Sequence, residues 1–169
     1  MSFLSGTIEL GVLKDQFNLL QFLTTENGRR NKLILTLICN LGMRVSEILS
    51  LKISDLIKKN ENYDLIKAVS ARNKELILPL IDSTQKLLCD YLNELHPNLN
   101  GNDYLFFGEH HYHDEYEKEC TKLSKSSVNI FLRNYVKQAH SLDPSLPKSI
   151  SINMLRHSFA IAMIEAGMR

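Results

Sequence analysis

The chain has 169 residues, of which 44% are hydrophobic, and its 20 basic and 19 acidic residues leave a formal net charge of +1. This is enough apolar material for one domain with its own core, and no apolar run is long enough to cross a bilayer. Residues 1–11 lack the basic and apolar regions of a secretion signal, so we expect a cytoplasmic protein that does not contact a membrane. The three cysteines have no CxxC spacing, which argues against a disulfide framework or a zinc finger. A charge near zero neither requires nor excludes DNA as a partner.

The spacing of apolar residues predicts six helices, with the second buried on nearly all sides. The six predicted helices cover residues 13–23, 30–41, 45–51, 82–95, 124–139 and 151–166. Gly42 and Gly167 are expected to cap the helices that they follow. Gln85 is placed to form a capping box at the start of the fourth helix.

Three strand-like stretches lie between the helical blocks, at residues 52–57, 63–70 and 75–80, and polar turns separate them. Together with the helices they predict a fold that is mainly α with a small antiparallel β-sheet, of the α+β class. The histidine-rich stretch 109–115, with Cys120 beyond it, matches no standard metal spacing and is interpreted as a solvated loop.

The first string that could carry chemistry covers residues 41–51 and reads LGMRVSEILSL. Arg44 follows a helix-ending glycine, and Glu47 lies three residues later on a new helical turn. Glu47 could orient the guanidinium so that its fork of N–H donors faces an anion. The spacing alone favours a surface Arg–Glu pair that contributes a few tenths of a kcal/mol.

The second string covers residues 153–160 and reads NMLRHSFA. On a helix, Asn153 and Arg156 share one face, while Leu155, Phe159 and Met163 are expected to face the core. Taken alone, this pattern is also that of an ordinary amphipathic helix with a polar side.

In this order, and with an NKE…LPL hairpin at residues 73–80 between them, the two strings resemble the two arginine motifs of the tyrosine recombinases, the phage integrase family. The resemblance extends over residues 13–169 and implies the fold of a DNA breaking-rejoining catalytic core. It also implies phosphoryl transfer on duplex DNA, in which a tyrosine attacks the scissile phosphate and the two arginines, here Arg44 and Arg156, stabilise the transition state. Glu47 matches the supporting acidic residue of the family, and His157 matches a supporting histidine that we expect to be packed and hydrogen-bonded. The family needs no metal and no small-molecule cofactor, and its partners are duplex DNA and other recombinase subunits on that DNA.

The sequence departs from the family pattern at three places. The position of the hairpin lysine, a general acid, is Ala71, so Lys74 becomes the catalytic candidate and Arg72 a supporting one, because arginine seldom donates a proton. Asn153 stands where the family has a histidine, and asparagine cannot act as an acid or a base. All six tyrosines precede Arg156. We therefore expect residues 1–169 to form a single truncated catalytic domain, without the N-terminal DNA-clamp domain and the C-terminal tyrosine segment, that cannot complete the reaction.

Two other functions fit the same residues. The replacements at Ala71 and Asn153 favour a non-catalytic relative that binds DNA or interacts with a recombinase. The charge near zero also permits a protein-interaction module that has the fold without a role on DNA.

Overall fold

The computed structural model describes residues 26–59, 62–70, 73–95, 100–108 and 121–167. The predicted helix 13–23, the loop 109–115 with Cys120, and the pair Ala71 and Arg72 lie outside these ranges. The described residues form two compact units. The first unit contains the residues up to Arg44 and from Ser126 onward, and the second contains Val45–Lys125.

The elements follow the predicted order of helices, a small sheet and further helices. They are α1 (Glu26–Leu41), α2 (Val45–Ile48), β1 (Leu56–Lys59), β2 (Asn62–Val69), β3 (Glu75–Pro79), α3 (Asp82–Leu95), α4 (Lys125–Leu142) and α5 (Ile152–Glu165). The expectation of a mainly helical fold with a small antiparallel sheet is confirmed. None of the helices in the described ranges is long and apolar enough to span a membrane.

The first unit is built around α1, which is buried on nearly all sides as its composition predicts. Four of its side chains have no exposed surface: Leu33, Ile34, Leu37 and Ile38. Helix α5 packs against α1 and buries Leu155 completely. A buried polar contact links α1 to α4, since the Asn31 Nδ2 donates to the Tyr135 hydroxyl over 3.0 Å. Because the buried amide has this partner, it does not carry the cost of an unsatisfied donor.

The second unit contains the sheet, in which the order is β1-β2-β3 and both pairs are antiparallel. Helix α3 packs against β2 and contributes Tyr91 to the core. The ring of Tyr91 lies 5.8 Å from that of Phe106, and its hydroxyl donates to the carbonyl of Leu105 over 3.0 Å. This contact satisfies the one polar atom of an otherwise apolar core side chain.

The predicted strand 52–57 is wrong for its central residues, because Ile53–Asp55 form a short 3₁₀ helix. The Asp55 carboxylate accepts from the backbone N–H of Lys52 over 2.8 Å, and the Asp55 N–H donates to the Lys52 carbonyl over 3.0 Å. A short polar side chain that bonds to the nearby backbone closes a turn in place of extended structure. The strand therefore begins only at Leu56. The helix predicted at 45–51 likewise ends earlier, at Ile48.

The predicted capping box at Gln85 is also wrong. Helix α3 does begin at Asp82, but the Gln85 amide donates to the Leu80 carbonyl over 2.9 Å and to the Asp64 Oδ1 over 3.4 Å. The side chain therefore ties α3 to the end of β3 and to β2 instead of closing the helix terminus.

Candidate functional site

Helix α1 ends at Leu41, and the residue that follows, Gly42, lies in the left-handed region with a φ of 62°. The Gly42 N–H donates to the Ile38 carbonyl over 3.0 Å, so the glycine forms the predicted C-terminal cap. The cap turns the chain out of the helix, and Arg44 follows two residues later with an exposed side chain.

The ring of Phe159, on α5, occupies the space beside Gly42. A Cβ atom built on Gly42 would lie 2.4 Å from the Phe159 Cδ1 and 2.6 Å from its Cε1, which is far inside van der Waals contact. Position 42 therefore requires glycine for two reasons, its backbone conformation and the close approach of this ring.

The first turn of α5 is fixed by Ser151, whose hydroxyl accepts from the Met154 N–H over 3.2 Å. This is the N-cap contact that satisfies one of the free N–H groups at a helix start. With the turn fixed, Leu155 points into the core, Phe159 and Met163 are half-buried, and Arg156 is directed toward the end of α1. Of the three residues expected to face the core, Leu155 is therefore buried and the other two are partly buried.

A hydrogen bond joins the two arginine motifs. The Arg156 Nε donates to the Gly42 carbonyl over 2.9 Å, between residues that are 114 positions apart. Two peptide units separate Gly42 from Arg44, so the Cα atoms of these two residues are at most about 7–8 Å apart. Within the described residues, this bond is the only hydrogen bond or ion pair of the Arg156 side chain. The planar guanidinium is therefore held through one N–H, and its two terminal nitrogens keep their donors for another acceptor.

The other residues expected on α5 lie on its solvent side. Asn153 is exposed in the first turn of the helix, in the same unit as both arginines. His157 is also exposed, so the expectation of a packed, hydrogen-bonded histidine is wrong. Successive side chains point in different directions around a helix. The side chain of His157, one residue after Arg156, is therefore turned away from α1 and lies on the face that carries Asn153.

The remaining predicted site residues belong to the second unit or lie outside the described ranges. Glu47 is half-buried in α2. Lys74 is exposed directly before β3, where its N–H donates to the Ser70 hydroxyl over 3.2 Å. Arg72 and Ala71 are outside the described residues. The roles assigned to Glu47, Lys74 and Arg72 stay predictions.

The two arginines provide fixed positive charge and N–H donors. Among the described residues, no group of three His, Cys, Asp or Glu side chains could hold a metal ion. An arginine keeps its charge at any physiological pH, and its planar donors match the oxygens of a carboxylate or a phosphate. The chemistry available from Arg44 and Arg156 is therefore the binding of an oxyanion.

Sequence reasoning missed the contacts that hold this site together. It placed Phe159 in the core but did not identify the glycine on which its ring lies, and it did not identify the carbonyl that holds Arg156. The one available signal was the glycine itself, because a glycine after a helix and shortly before a candidate site residue indicates a backbone that needs a positive φ or a close approach.

Several known proteins with a similar sequence or a similar fold are recombinases. The tyrosine recombinase XerD of Staphylococcus epidermidis is 29% identical over 148 residues, which are 86% of this chain and 44% of that protein. The crystal structure of the XerA recombinase has a TM-score of 0.68 at 23% identity and matches 95% of this chain and 48% of its own. The XerH site-specific recombinase bound to its difH substrate has a TM-score of 0.65 at 24% identity, with 94% and 41% covered. The chain thus spans less than half the length of each of these proteins.

The family comparison covers nearly the whole chain. The model of the phage integrase family matches residues 13–169, a range that includes both arginine motifs and the hairpin between them. The two motifs that the sequence places far apart also contact each other through the Arg156 bond to Gly42. The chain belongs to the phage integrase family.

Proposed function

We propose that this chain is the phosphate-binding core of a site-specific DNA recombinase that cleaves and rejoins strands by phosphoryl transfer. Its partners are duplex DNA and other recombinase subunits on that DNA. The observation that supports this best is the bond from the Arg156 Nε to the Gly42 carbonyl, because it holds the second arginine beside the segment that leads to Arg44.

Phosphoryl transfer depends mainly on the positioning of the phosphate and on the stabilisation of its charge in the transition state. In this proposal Arg44 and Arg156 bind the non-bridging oxygens of one scissile phosphate. Arg44 has an exposed side chain, and the guanidinium of Arg156 keeps the donors of its two terminal nitrogens for an acceptor. Asn153 donates a further hydrogen bond, and Lys74 is the candidate proton donor to the leaving oxygen.

The proposed nucleophile of the reaction is a tyrosine that follows the second arginine motif. All six tyrosines of this sequence precede Arg156. We therefore expect this sequence alone to bind DNA without covalent attachment, so the first test is one of binding.

The test measures the affinity for a fluorescently labelled duplex while the salt concentration is raised from about 50 to about 200 mM. Each phosphate contact contributes about −0.9 to the slope of log K against log salt. We expect Arg44→Ala to weaken binding and to make the slope less negative by about 0.9. The matched control is Arg133→Ala, which removes the same charge from an exposed position on α4 in the same unit.

Equal slopes for Arg44→Ala, Arg133→Ala and the unchanged chain would contradict the proposed binding of one phosphate by Arg44 and Arg156, which we call the phosphate clamp. Arg156→Lys adds a second comparison, because lysine retains the charge but cannot reproduce the planar Nε contact with Gly42. We expect this variant to lose affinity with a smaller change in slope than Arg44→Ala. Urea unfolding of each variant separates a loss of binding from a loss of fold.

A non-catalytic DNA-binding relative is the second candidate, and the asparagine at position 153 favours it. Both candidates retain the clamp, so DNA binding does not separate them. A nicked suicide duplex incubated with the natural gene product does. A denaturation-resistant protein–DNA band that Arg44→Ala removes supports strand cleavage, whereas binding without a band supports the non-catalytic relative.

A further inference from the structure

Two lysines from distant parts of the second unit meet at one aromatic ring. The Nζ atoms of Lys52 and Lys122 each lie 5.9 Å from the centroid of the Tyr104 ring. Both ammonium groups are thus within cation–π range of the same tyrosine and no more than about 12 Å from each other. The Lys122 ammonium also donates to the hydroxyl of Ser50, which restrains its position near the ring. We call these four residues the lysine–tyrosine cluster.

Backbone pairing explains only part of this cluster. Lys52 and Tyr104 are partners in an isolated antiparallel bridge, so their side chains are neighbours by geometry. Lys58 and Tyr63 form a similar cation–π pair within the sheet, and they too are cross-strand partners, on β1 and β2. Lys122 is different, because its bridge partner is Phe107 and its side chain nevertheless reaches the ring of Tyr104. Bringing a second cation to this ring raises the repulsion between like charges.

In the described part of the chain, the carboxylates lie beyond ion-pairing distance of the two cations. Among the described residues, neither Lys52 nor Lys122 forms an ion pair. Two acidic side chains lie on adjoining segments, and each is bonded to a backbone N–H: Asp55 to that of Lys52 and Asp103 to that of Asn100. These carboxylates lower the local positive potential, so the cluster provides positive charge for one or two anionic groups and not for a large basic surface.

We infer that the lysine–tyrosine cluster binds the phosphate backbone of DNA, as a contact separate from Arg44 and Arg156. The inference rests on the proposed function for the identity of the partner. Lysine binds phosphate as a point charge. Because the ring already restrains the two ammonium groups, each lysine side chain loses less conformational entropy when it binds a phosphate. The contact carries no base recognition, since phosphate contacts position a protein on DNA without reading the sequence.

The experiment measures duplex binding across the same salt range for a variant that combines Lys52→Gln with Lys122→Gln. We expect the slope of log K against log salt to become less negative by about 0.9 for one phosphate contact, or about 1.8 for two. The matched control combines Lys86→Gln with Lys125→Gln, two exposed positions in the same unit, and should retain the slope of the unchanged chain. Tyr104→Phe should bind like the unchanged chain because it keeps the ring face, whereas Tyr104→Leu should weaken binding.

The outcomes separate this inference from the clamp. If Arg44→Ala flattens the slope and the double lysine variant leaves it unchanged, the cluster is overturned and the clamp stands. If only the lysine variant flattens it, the cluster stands and the clamp is overturned. Equal losses for the lysine variant and its control would also overturn the cluster, because the effect would then be one of net charge. A chain that does not bind duplex DNA at low salt overturns both.

Discussion

Replacement of Gly42 by alanine would disturb a point at which the end of α1, helix α5 and the two arginine motifs meet. The alanine would have to adopt the φ of 62° that Gly42 has, which costs an L-residue about 1–2 kcal/mol. Its Cβ would also lie 2.4 Å from the Phe159 ring, and overpacking of this kind costs about 1–3 kcal/mol. Together we expect Gly42→Ala to lower the free energy of unfolding by about 2–5 kcal/mol.

The two contributions can be separated with Phe159→Ala, which removes the ring that the new Cβ would meet. In this background Gly42→Ala should cost only the backbone contribution, about 1–2 kcal/mol. Urea unfolding followed by far-UV circular dichroism gives the free energy of unfolding of the four chains that form this double-mutant cycle. The double variant should lose less free energy of unfolding than the sum of the two single losses, since the overlap exists only when both the Cβ and the ring are present.

Two results would refute this reasoning. A loss below about 1 kcal/mol for Gly42→Ala would mean that neither the backbone conformation nor the ring constrains this position. An equal loss with and without the Phe159 ring would mean that the close approach has no energetic consequence. In either case the contact between Phe159 and Gly42 would not contribute to the packing of α5 against the end of α1.

Three further changes test local contacts by urea unfolding or titration. Ser151→Ala removes the N-cap of α5 and should cost about 1 kcal/mol, whereas Ser151→Asp should retain most of the stability. Tyr135→Phe leaves the buried Asn31 amide without this acceptor and should cost about 1–3 kcal/mol, and a loss near zero would show that the amide finds another partner. Hydrogen bonds from the hydroxyl and the backbone N–H of Ser145 lower the pKa of Asp143, so its contribution to stability is present above the ordinary carboxyl range and lost as the pH falls through the lowered pKa. The stability difference between the unchanged chain and Asp143→Asn should therefore shrink in acid, and NMR titration of Asp143 should give a pKa below that of Asp143 in a Ser145→Ala variant.

Helices with a strong apolar pattern could be predicted from the sequence, and short polar segments could not. The stretch 30–41 is so apolar that only a buried helix satisfies it, and α1 covers all of it and begins four residues earlier, at Glu26. The error at residues 52–57 arose from Asp55, whose side chain competes with extended backbone through a local hydrogen bond. Gln85 was misassigned for a related reason, since an amide near a helix start can bond either to the helix or to a neighbouring strand.

The candidate site was predictable in its residue types and not in its supporting contacts. Arg44 and Arg156 stand in two recognisable strings, and the structure places those strings in contact. The carbonyl that holds Arg156 is a backbone atom, which no pattern of side chains identifies. Lys52 and Lys122 are 70 positions apart in stretches without a motif, and only the pairing of their segments around Tyr104 brings them together.

The most direct measurement is a double-mutant cycle on DNA affinity, with Arg44→Ala, Arg156→Ala and the two combined. Two arginines that bind the same phosphate depend on each other, so the combined variant should lose less than the sum of the single losses, with a coupling of about 0.5–3 kcal/mol. Urea unfolding of the three variants shows that the measured losses belong to binding and not to the Gly42 contact of Arg156. Losses that add within about 0.3–0.5 kcal/mol would place the two side chains on separate partners and contradict a shared phosphate.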